Sequence, residues 1–407
     1  MPCVPVTSDV FWVGVNERTT DLFEGLWPIE QEGLSYNSYV IRDDKTVLID
    51  LAKSVKTDDY FAQLATVTNP ADLDYIVVNH MEPDHTGVLR ILRKIAPNAE
   101  IRGTAKAVKM LSSFFGITEG VREVTDGETL DVGRHKLQFV NTPFVHWPET
   151  MMTYEATERI LFSCDGFGGY GALRGAIFDD EYADLAFYER EALRYYANIV
   201  AKFHGPVLKA IDKLSDVPVN IIAPSHGLIW RKNPAHVVDL YRKWSRYGRG
   251  PAEPEVCLLY GSMYGNSEAL MNAVAQGIAE GNVKTEIFDA ARTHVSYILP
   301  ALWRSQGIMI GAPTYEAGLF PPVASVIHMA AAKAVRGRTA ALFGTYGWSG
   351  GALREFKRLI EPLKWELSDT LEIEGAPSEE DMESAKRFGT AFAERIARGA
   401  TPGESQS

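Results

Sequence analysis

The chain has 407 residues, 46% hydrophobic and 23% charged, an ordinary globular composition with room for about two or three domains. A formal net charge of −12 argues against a nucleic-acid partner, since no strong positive field meets a phosphate backbone. Three widely spaced cysteines, Cys3, Cys164 and Cys257, exclude a disulfide framework and a cysteine-only metal site.

The N-terminus, MPCVPVTSDVFWVG, lacks a basic region followed by an apolar run. No stretch approaches the roughly 18 apolar residues of a membrane span. The expectation is a cytoplasmic protein with no membrane partner. Short strand-like runs follow: VFWVG, NSYVI (37–41) and TVLID (46–50). Helical periodicity covers 57–66, and YIVVN (75–79) is a further strand. Strands are predicted at 136–140, 159–164 and 219–223, and helices at 181–200 and 207–214. The closely spaced early strands indicate a layered, sheet-rich fold rather than a regular βαβ series.

The stretch RYGRGPAEPEV (246–256) concentrates glycine, proline and charge ahead of an apolar strand. It divides the chain into an expected first domain, 1–250, and second domain, 254–400. In the second, strands near 255, 284, 306, 339 and 365–373 alternate with helices near 267–280, 322–334, 351–361 and 379–397. That is a doubly wound parallel α/β pattern. The end, GATPGESQS, is an expected frayed tail.

One segment concentrates the chemistry. NHMEPDHTG (79–87) directly follows an apolar strand and holds His80, Glu82, Asp84 and His85. Imidazole offers neutral nitrogen and carboxylate offers anionic oxygen, so the cluster reads as a metal site. His146 follows KLQFV, Asp165 ends ILFSCD, and His226 follows VNIIA, each just past an apolar strand. Singly, either histidine also reads as a packed or loop residue, and Asp165 as a cap. Together the seven side chains are too many for one closed zinc site and fit two metals sharing a carboxylate. His135, His204, His236, His294 and His328 have no such setting and read as solvated or structural.

In the second domain, LLYGSMYGNSEAL (258–270) places Ser262, Met263, Tyr264, Gly265, Asn266 and Ser267 between a strand and a helix. Such a turn can surround a phosphate with backbone N–H groups, or it can be an ordinary turn and cap. Two later strand-end loops carry Pro313, Thr314, Tyr315, Glu316, Ala317, Gly318 and Thr345, Tyr346, Gly347, Trp348, Ser349, Gly350. Tyr315 and Trp348 suit packing against a flavin ring, or sealing a loop. GSMYGNS is not GxGxxG, which disfavours a nicotinamide dinucleotide.

The HxExDH cluster with later His, Asp and His at strand ends resembles the metal domain of flavodiiron proteins. Hydrolases of that metallo-β-lactamase-like fold commonly have HxHxDH; Glu82 replaces the middle histidine with an anionic ligand that favours iron. The second domain resembles the flavodoxin-like domain of the same family, and together the resemblances span about residues 8–400 in the family order. The resemblance implies an N-terminal metallo-β-lactamase-like αββα sandwich followed by a flavodoxin-like doubly wound sheet.

It further implies two irons per chain: one held by His80, Glu82 and His146, the other by Asp84, His85 and His226, with Asp165 bridging. It implies FMN, with the 262–267 loop on the phosphate and the 313–318 and 345–350 loops beside the isoalloxazine. The implied activity is reduction of dioxygen to water, nitric oxide to nitrous oxide, or both. Electrons would come from reduced rubredoxin or a reduced deazaflavin cofactor. A head-to-tail homodimer, or a dimer of dimers, would bring the FMN of one subunit to the irons of the other. No rubredoxin-like CxxC module follows, so the minimal two-domain form is expected.

Some members carry a histidine in an N-terminal DxxxRxFHGY-like segment near the iron pocket; here DLFEGLW (21–27) puts Glu24 at that place. Tyr195, in RYYANI, reads as a core or surface aromatic, with a role behind the metal ligands as the less favoured reading. Two other functions compete: a zinc hydrolase fused to a flavin module, which Glu82 disfavours, and a flavin electron-transfer protein with a structural metal site.

Overall fold

A computed structural model describes residues 3–399. From residue 400 on, the expected tail lies outside them. The chain divides into two compact units, Met1–Arg242 and Lys243–Ser407.

Two facing sheets form the first unit. One runs, in spatial order, Val4–Pro5, Val10–Trp12, Tyr39–Ile41, Val47–Ile49, Tyr75–Val77, Glu100–Gly103 and Val121–Glu123. Its first four strands pair antiparallel, and the remaining pairings are parallel. The other sheet runs Thr129–Asp131, Lys136–Asn141, Met151–Glu155, Ile160–Cys164 and Ile221–Pro224, antiparallel except for the last pair. Tyr39–Ile41, Val47–Ile49, Met151–Glu155 and Ile160–Cys164 are buried at every residue, because each is covered on both faces. Between the sheets, the Tyr39 and Phe162 rings lie 5.1 Å apart. With helices outside, this is the expected metallo-β-lactamase-like αββα sandwich.

The second unit has one parallel sheet in the order Thr285–Asp289, Glu253–Tyr260, Ser305–Gly311, Thr339–Tyr346, Glu366–Glu374. Numbered by sequence this is 2-1-3-4-5, the flavodoxin-like order. The first helix, Asn266–Glu280, packs on the last, Glu379–Gly399, around Val274, Ile278, Phe392 and Ile396. Gly277 and Gly389 permit that close approach: a Cβ on Gly277 would strike the Lys386 carbonyl, and one on Gly389 the Val274 carbonyl. Burial of each large apolar side chain contributes about 1.5–3 kcal/mol.

Several local expectations change. The helix predicted over 181–200 begins only at Ala186–Tyr195 and widens into a π-turn at Tyr196–Val200. The strand Met151–Glu155 and the helices Ala105–Met110, Pro234–Tyr247 and Val295–Arg304 have no counterpart among the predicted elements. Among the described residues, no helix is long and apolar enough to cross a membrane.

Candidate functional site

The seven residues singled out in the first unit converge. Strand Tyr75–Val77 leads into Asn79, whose N–H and Nδ2 donate to the two oxygens of buried Asp50, at 2.8 and 3.0 Å. Thr153 Oγ1 donates to Asn79 Oδ1 at 2.7 Å, tying the two sheets together beneath His80. Pro83 then opens a single helical turn, Pro83–Thr86, that presents Asp84 and His85. Gly87 must be small there, because a Cβ would come within 2.5 Å of Ser54 N and 2.7 Å of Pro83 O. His226 follows Ile221–Pro224, and Asn37 Nδ2 fixes that turn by donating to the carbonyls of Pro224 and Gly227.

The side chains form two groups. The ligand atoms of His80, Glu82, His146 and Asp165 lie within 4.8 Å of one another, as do those of Asp84, His85 and His226. Glu82 Oε2 is 3.2 Å from His80 Nε2 and 3.0 Å from His146 Nε2. Asp84 reaches His226 Nε2 at 3.1 Å and His85 Nε2 at 3.4 Å. Asp165 stands between the groups. Its Oδ2 is 3.3 Å from both His80 Nε2 and His146 Nε2, while its Oδ1 is 3.1 Å from His85 Nε2 and 3.5 Å from His226 Nε2.

All seven are buried. Yet both Asp84 oxygens, Asp165 Oδ2 and His226 Nε2 lack an aligned hydrogen-bond partner. Close approach without hydrogen-bond alignment is what donor atoms aimed at a common cation produce, since buried polar groups are otherwise satisfied. The residues therefore fit a pair of metal ions. Burial alone would depress the His146 and His85 imidazoliums; facing carboxylates outweigh it and push each pKa to about 10. His80 is carried to about 8, against burial, by Glu149, Glu82 and Asp165. Burial would raise the Asp165 carboxyl, but His85, His146 and His80 hold it well below the usual range. Protons thus occupy the atoms a metal would take, and metal binding displaces them.

Further residues complete the site. Glu149 Oε1 lies 2.6 Å from His80 Nδ1, and the Ser35 carbonyl lies 2.7 Å from His226 Nδ1. Tyr195, read from sequence as a core or surface aromatic, donates its hydroxyl to Asp165 Oδ1 at 2.8 Å. Tyr36 is buried with its ring 5.7 Å from that of His226, and its hydroxyl has no hydrogen-bond partner. The only sequence hint for Glu149 is its place three residues after His146. For Tyr36 and Ser35 it is their place beside the strand NSYVI. Glu24 sits at a hairpin tip, an exposed residue whose carboxyl accepts from Trp27 Nε1 at 3.0 Å. Burial of the carboxyl, then the charge of Glu82 and a hydrogen bond to it, raises its pKa to about 7. Of the histidines set aside from the cluster, His135 is fully buried between carboxylates, 3.0 Å from Glu155 Oε1.

In the second unit, three strand-end loops border a cavity of about 740 Å³. Of the eighteen residues expected there, Ser262, Met263, Tyr264, Asn266, Ser267, Pro313, Thr314, Tyr315, Glu316, Ala317, Thr345, Tyr346, Gly347, Trp348 and Ser349 line it. Gly265, Gly318 and Gly350 do not; Gly375 does and was not anticipated. Gly265 is the N-cap of helix Asn266–Glu280 at φ 95°, and no side chain caps that end. Its first-turn N–H groups remain available to an anion. A Cβ on Gly347 or Gly375 would meet nothing within 4 Å. Trp348, 93% exposed, and Tyr264, 91% exposed, stand as unpacked aromatics at the mouth. Size, aromatic walls and a phosphate-ready helix end fit a flavin mononucleotide.

Residues 34–227 match the model of the ODP family beta lactamase, and residues 258–389 match that of flavodoxin. The chain is 34% identical to an anaerobic nitric oxide reductase flavorubredoxin of Salmonella arizonae over 98% of this chain and 84% of the relative. The flavodiiron protein of Giardia intestinalis superposes with a TM-score of 0.92 at 26% identity, covering 98% of this chain and 97% of that one. The chain belongs to the flavodiiron proteins. Rubredoxin oxygen:oxidoreductase from Desulfovibrio gigas has the same fold, with a TM-score of 0.93 at 25% identity over 98% of this chain and 100% of that one. As a flavodiiron protein the chain is an oxidoreductase whose cofactors are FMN, in the flavodoxin-like domain, and a diiron centre in the His/Asp/Glu cluster.

Proposed function

We propose that this flavodiiron protein reduces dioxygen to water, nitric oxide to nitrous oxide, or both, with electrons entering through FMN. One observation carries the reading: the two oxygens of Asp165 face two separate donor groups, as a shared carboxylate must. His80, Glu82 and His146 then hold one iron, and Asp84, His85 and His226 the other. Residues 1–250 form the diiron domain and 254–400 the flavin domain. The 262–267 loop takes the FMN phosphate, while Tyr315 and Trp348 flank its ring. When bound, iron supplies Lewis acidity and electrons to a diatomic ligand, and FMN supplies further electrons one at a time.

The chain's own residues orient and protect that chemistry. Tyr195 Oη holds Asp165 in place. Tyr36 keeps its phenolic proton, since burial and the charges of Asp84, Glu17 and Glu82 raise its pKa. Its unpartnered hydroxyl is a neutral donor on a ring that packs against His226. Burial of the seven ligands keeps bulk water from them.

The names of the relatives support both gases and a rubredoxin-type donor, with a reduced deazaflavin as the alternative donor. The family arrangement supports a head-to-tail homodimer. The test is anaerobic purification and gas consumption with reduced rubredoxin. At least one of the two gases should be consumed, and Asp165→Asn should bind about one iron or fewer and lose that activity. Iron- and FMN-loaded protein that consumes neither gas would overturn the proposal.

A further inference from the structure

The two donor groups are backed differently. Behind His80, Nδ1 meets a carboxylate, Glu149 Oε1, at 2.6 Å. Behind His226, Nδ1 meets a neutral carbonyl, Ser35 O, at 2.7 Å. His85 Nδ1 is buried and has no hydrogen-bond partner. Glu149 is itself a fixed part of the site. It is 1% exposed, its Oε1 also accepts from Met81 N at 3.0 Å, and Thr104 Oγ1 donates to its carbonyl at 2.8 Å. Its Oε2 is buried without a hydrogen-bond partner, so the carboxylate bonds through Oε1 and is not screened by solvent.

We propose that Glu149 is a positioning residue that makes the diiron centre electronically unequal, strengthening the His80 side as a donor relative to the His226 side. The inference rests on the ligand assignment proposed above. Once metal binding displaces the Nε2 proton, Glu149 accepts the Nδ1 proton of His80 and so fixes the tautomer whose Nε2 lone pair faces Glu82 and Asp165. The carboxylate increases the basicity of the imidazole; a peptide carbonyl does so less. The effect adds to that of Glu82, an anionic ligand on the same side. A metal held by His80, Glu82 and His146 is therefore bound more tightly and is harder to reduce than its neighbour. The sequence shows only a glutamate three residues beyond a ligand histidine; its role emerges when strand Met151–Glu155 carries the preceding turn beneath His80.

The experiment compares full-length, FMN-containing wild type with Glu149→Gln and Glu149→Asp, each loaded with isotopically enriched iron. The readouts are Mössbauer spectra, reduction potentials and iron affinity. Glu149→Gln keeps the shape and removes the charge. It should displace the signal of one iron and leave the other unchanged, raise the potential of the affected iron, and weaken iron binding by about 10- to 100-fold. Glu149→Asp keeps the charge but withdraws it, so it should shift the same signal in the same direction by less. Should the glutamine variant fail to fold, the aspartate variant decides alone. Unchanged spectra and potentials, or equal disturbance of both irons, would overturn the inference while leaving the diiron reading intact. Wild-type protein without two irons would instead overturn the ligand assignment, and this inference with it.

Discussion

Tyr195→Phe isolates one hydroxyl beneath the metal centre. The ring survives, and so do its contacts with Tyr170 at 5.2 Å and His226 at 5.6 Å. What is lost is the 2.8 Å hydrogen bond from Tyr195 Oη to the Asp165 carboxylate, both groups being about 1% exposed. A hydrogen bond to a charged group contributes about 1.5–3 kcal/mol. The folding equilibrium of the metal-free protein should therefore fall by roughly 10- to 150-fold. For a domain of this size, a loss of that kind lowers the midpoint of thermal unfolding by roughly 3–12 °C. Calorimetry of the metal-stripped full chain reads this in the transition of the first unit. In the loaded enzyme both Asp165 oxygens remain, so iron content should hold while turnover falls through misorientation of the shared carboxylate. An unchanged midpoint would refute the contribution assigned to Tyr195.

Tyr36→Phe should act in the opposite sense on stability. Removing a buried, unpartnered hydroxyl relieves a desolvation cost of about 1–3 kcal/mol, so metal-free protein gains stability in urea while gas turnover falls. A loss of stability would mean that the hydroxyl is partnered. His135 provides a pH signature away from the metals. The Glu155 carboxylate, 3.0 Å from Nδ1, raises its pKa against burial and the Arg134 charge, with Asp9 adding in the same direction and Asp43 held on its backbone N–H. A raised folded pKa gives stabilisation that is complete below the unfolded value of about 6.5 and is lost as pH rises through the folded value. The difference in unfolding free energy between wild type and His135→Gln, both metal-loaded, should shrink over that window; a pH-independent difference would refute the pairing. Trp348→Ala, at a 93% exposed position, should leave the apo flavin domain as stable as before. It should weaken FMN binding by about 2- to 12-fold, the amount expected from losing one aromatic stacking contact. Titration of stripped protein with FMN measures it, and an unchanged dissociation constant would remove Trp348 from the flavin site.

The ligand residues were legible because metal chemistry restricts residue type and because each of the seven sits just past an apolar strand. The flavodoxin-like order was legible for a related reason: strands and helices alternate with clear periodicity from Glu253 on. Neighbouring structure was less so. The strand Met151–Glu155 is buried at all five positions, so it has no alternation to read. Tyr195 lies on a helix whose apolar and aromatic residues look like core, and its contact with Asp165 spans 30 residues of sequence. Glu149 reaches His80 across 69 residues. Such partners are set by tertiary packing and leave no local pattern. In the flavin loops, sequence marked the segments but not which glycines face the cavity, since that depends on backbone angles such as the φ of 95° at Gly265.

The most direct measurement is the metal and flavin content of anaerobically purified protein, read together with its gas turnover. About two irons and one FMN per chain, with rapid consumption of dioxygen or nitric oxide, is the expected result. Zinc in place of iron after growth in iron-sufficient medium without added zinc, with FMN bound and neither gas consumed, would contradict it.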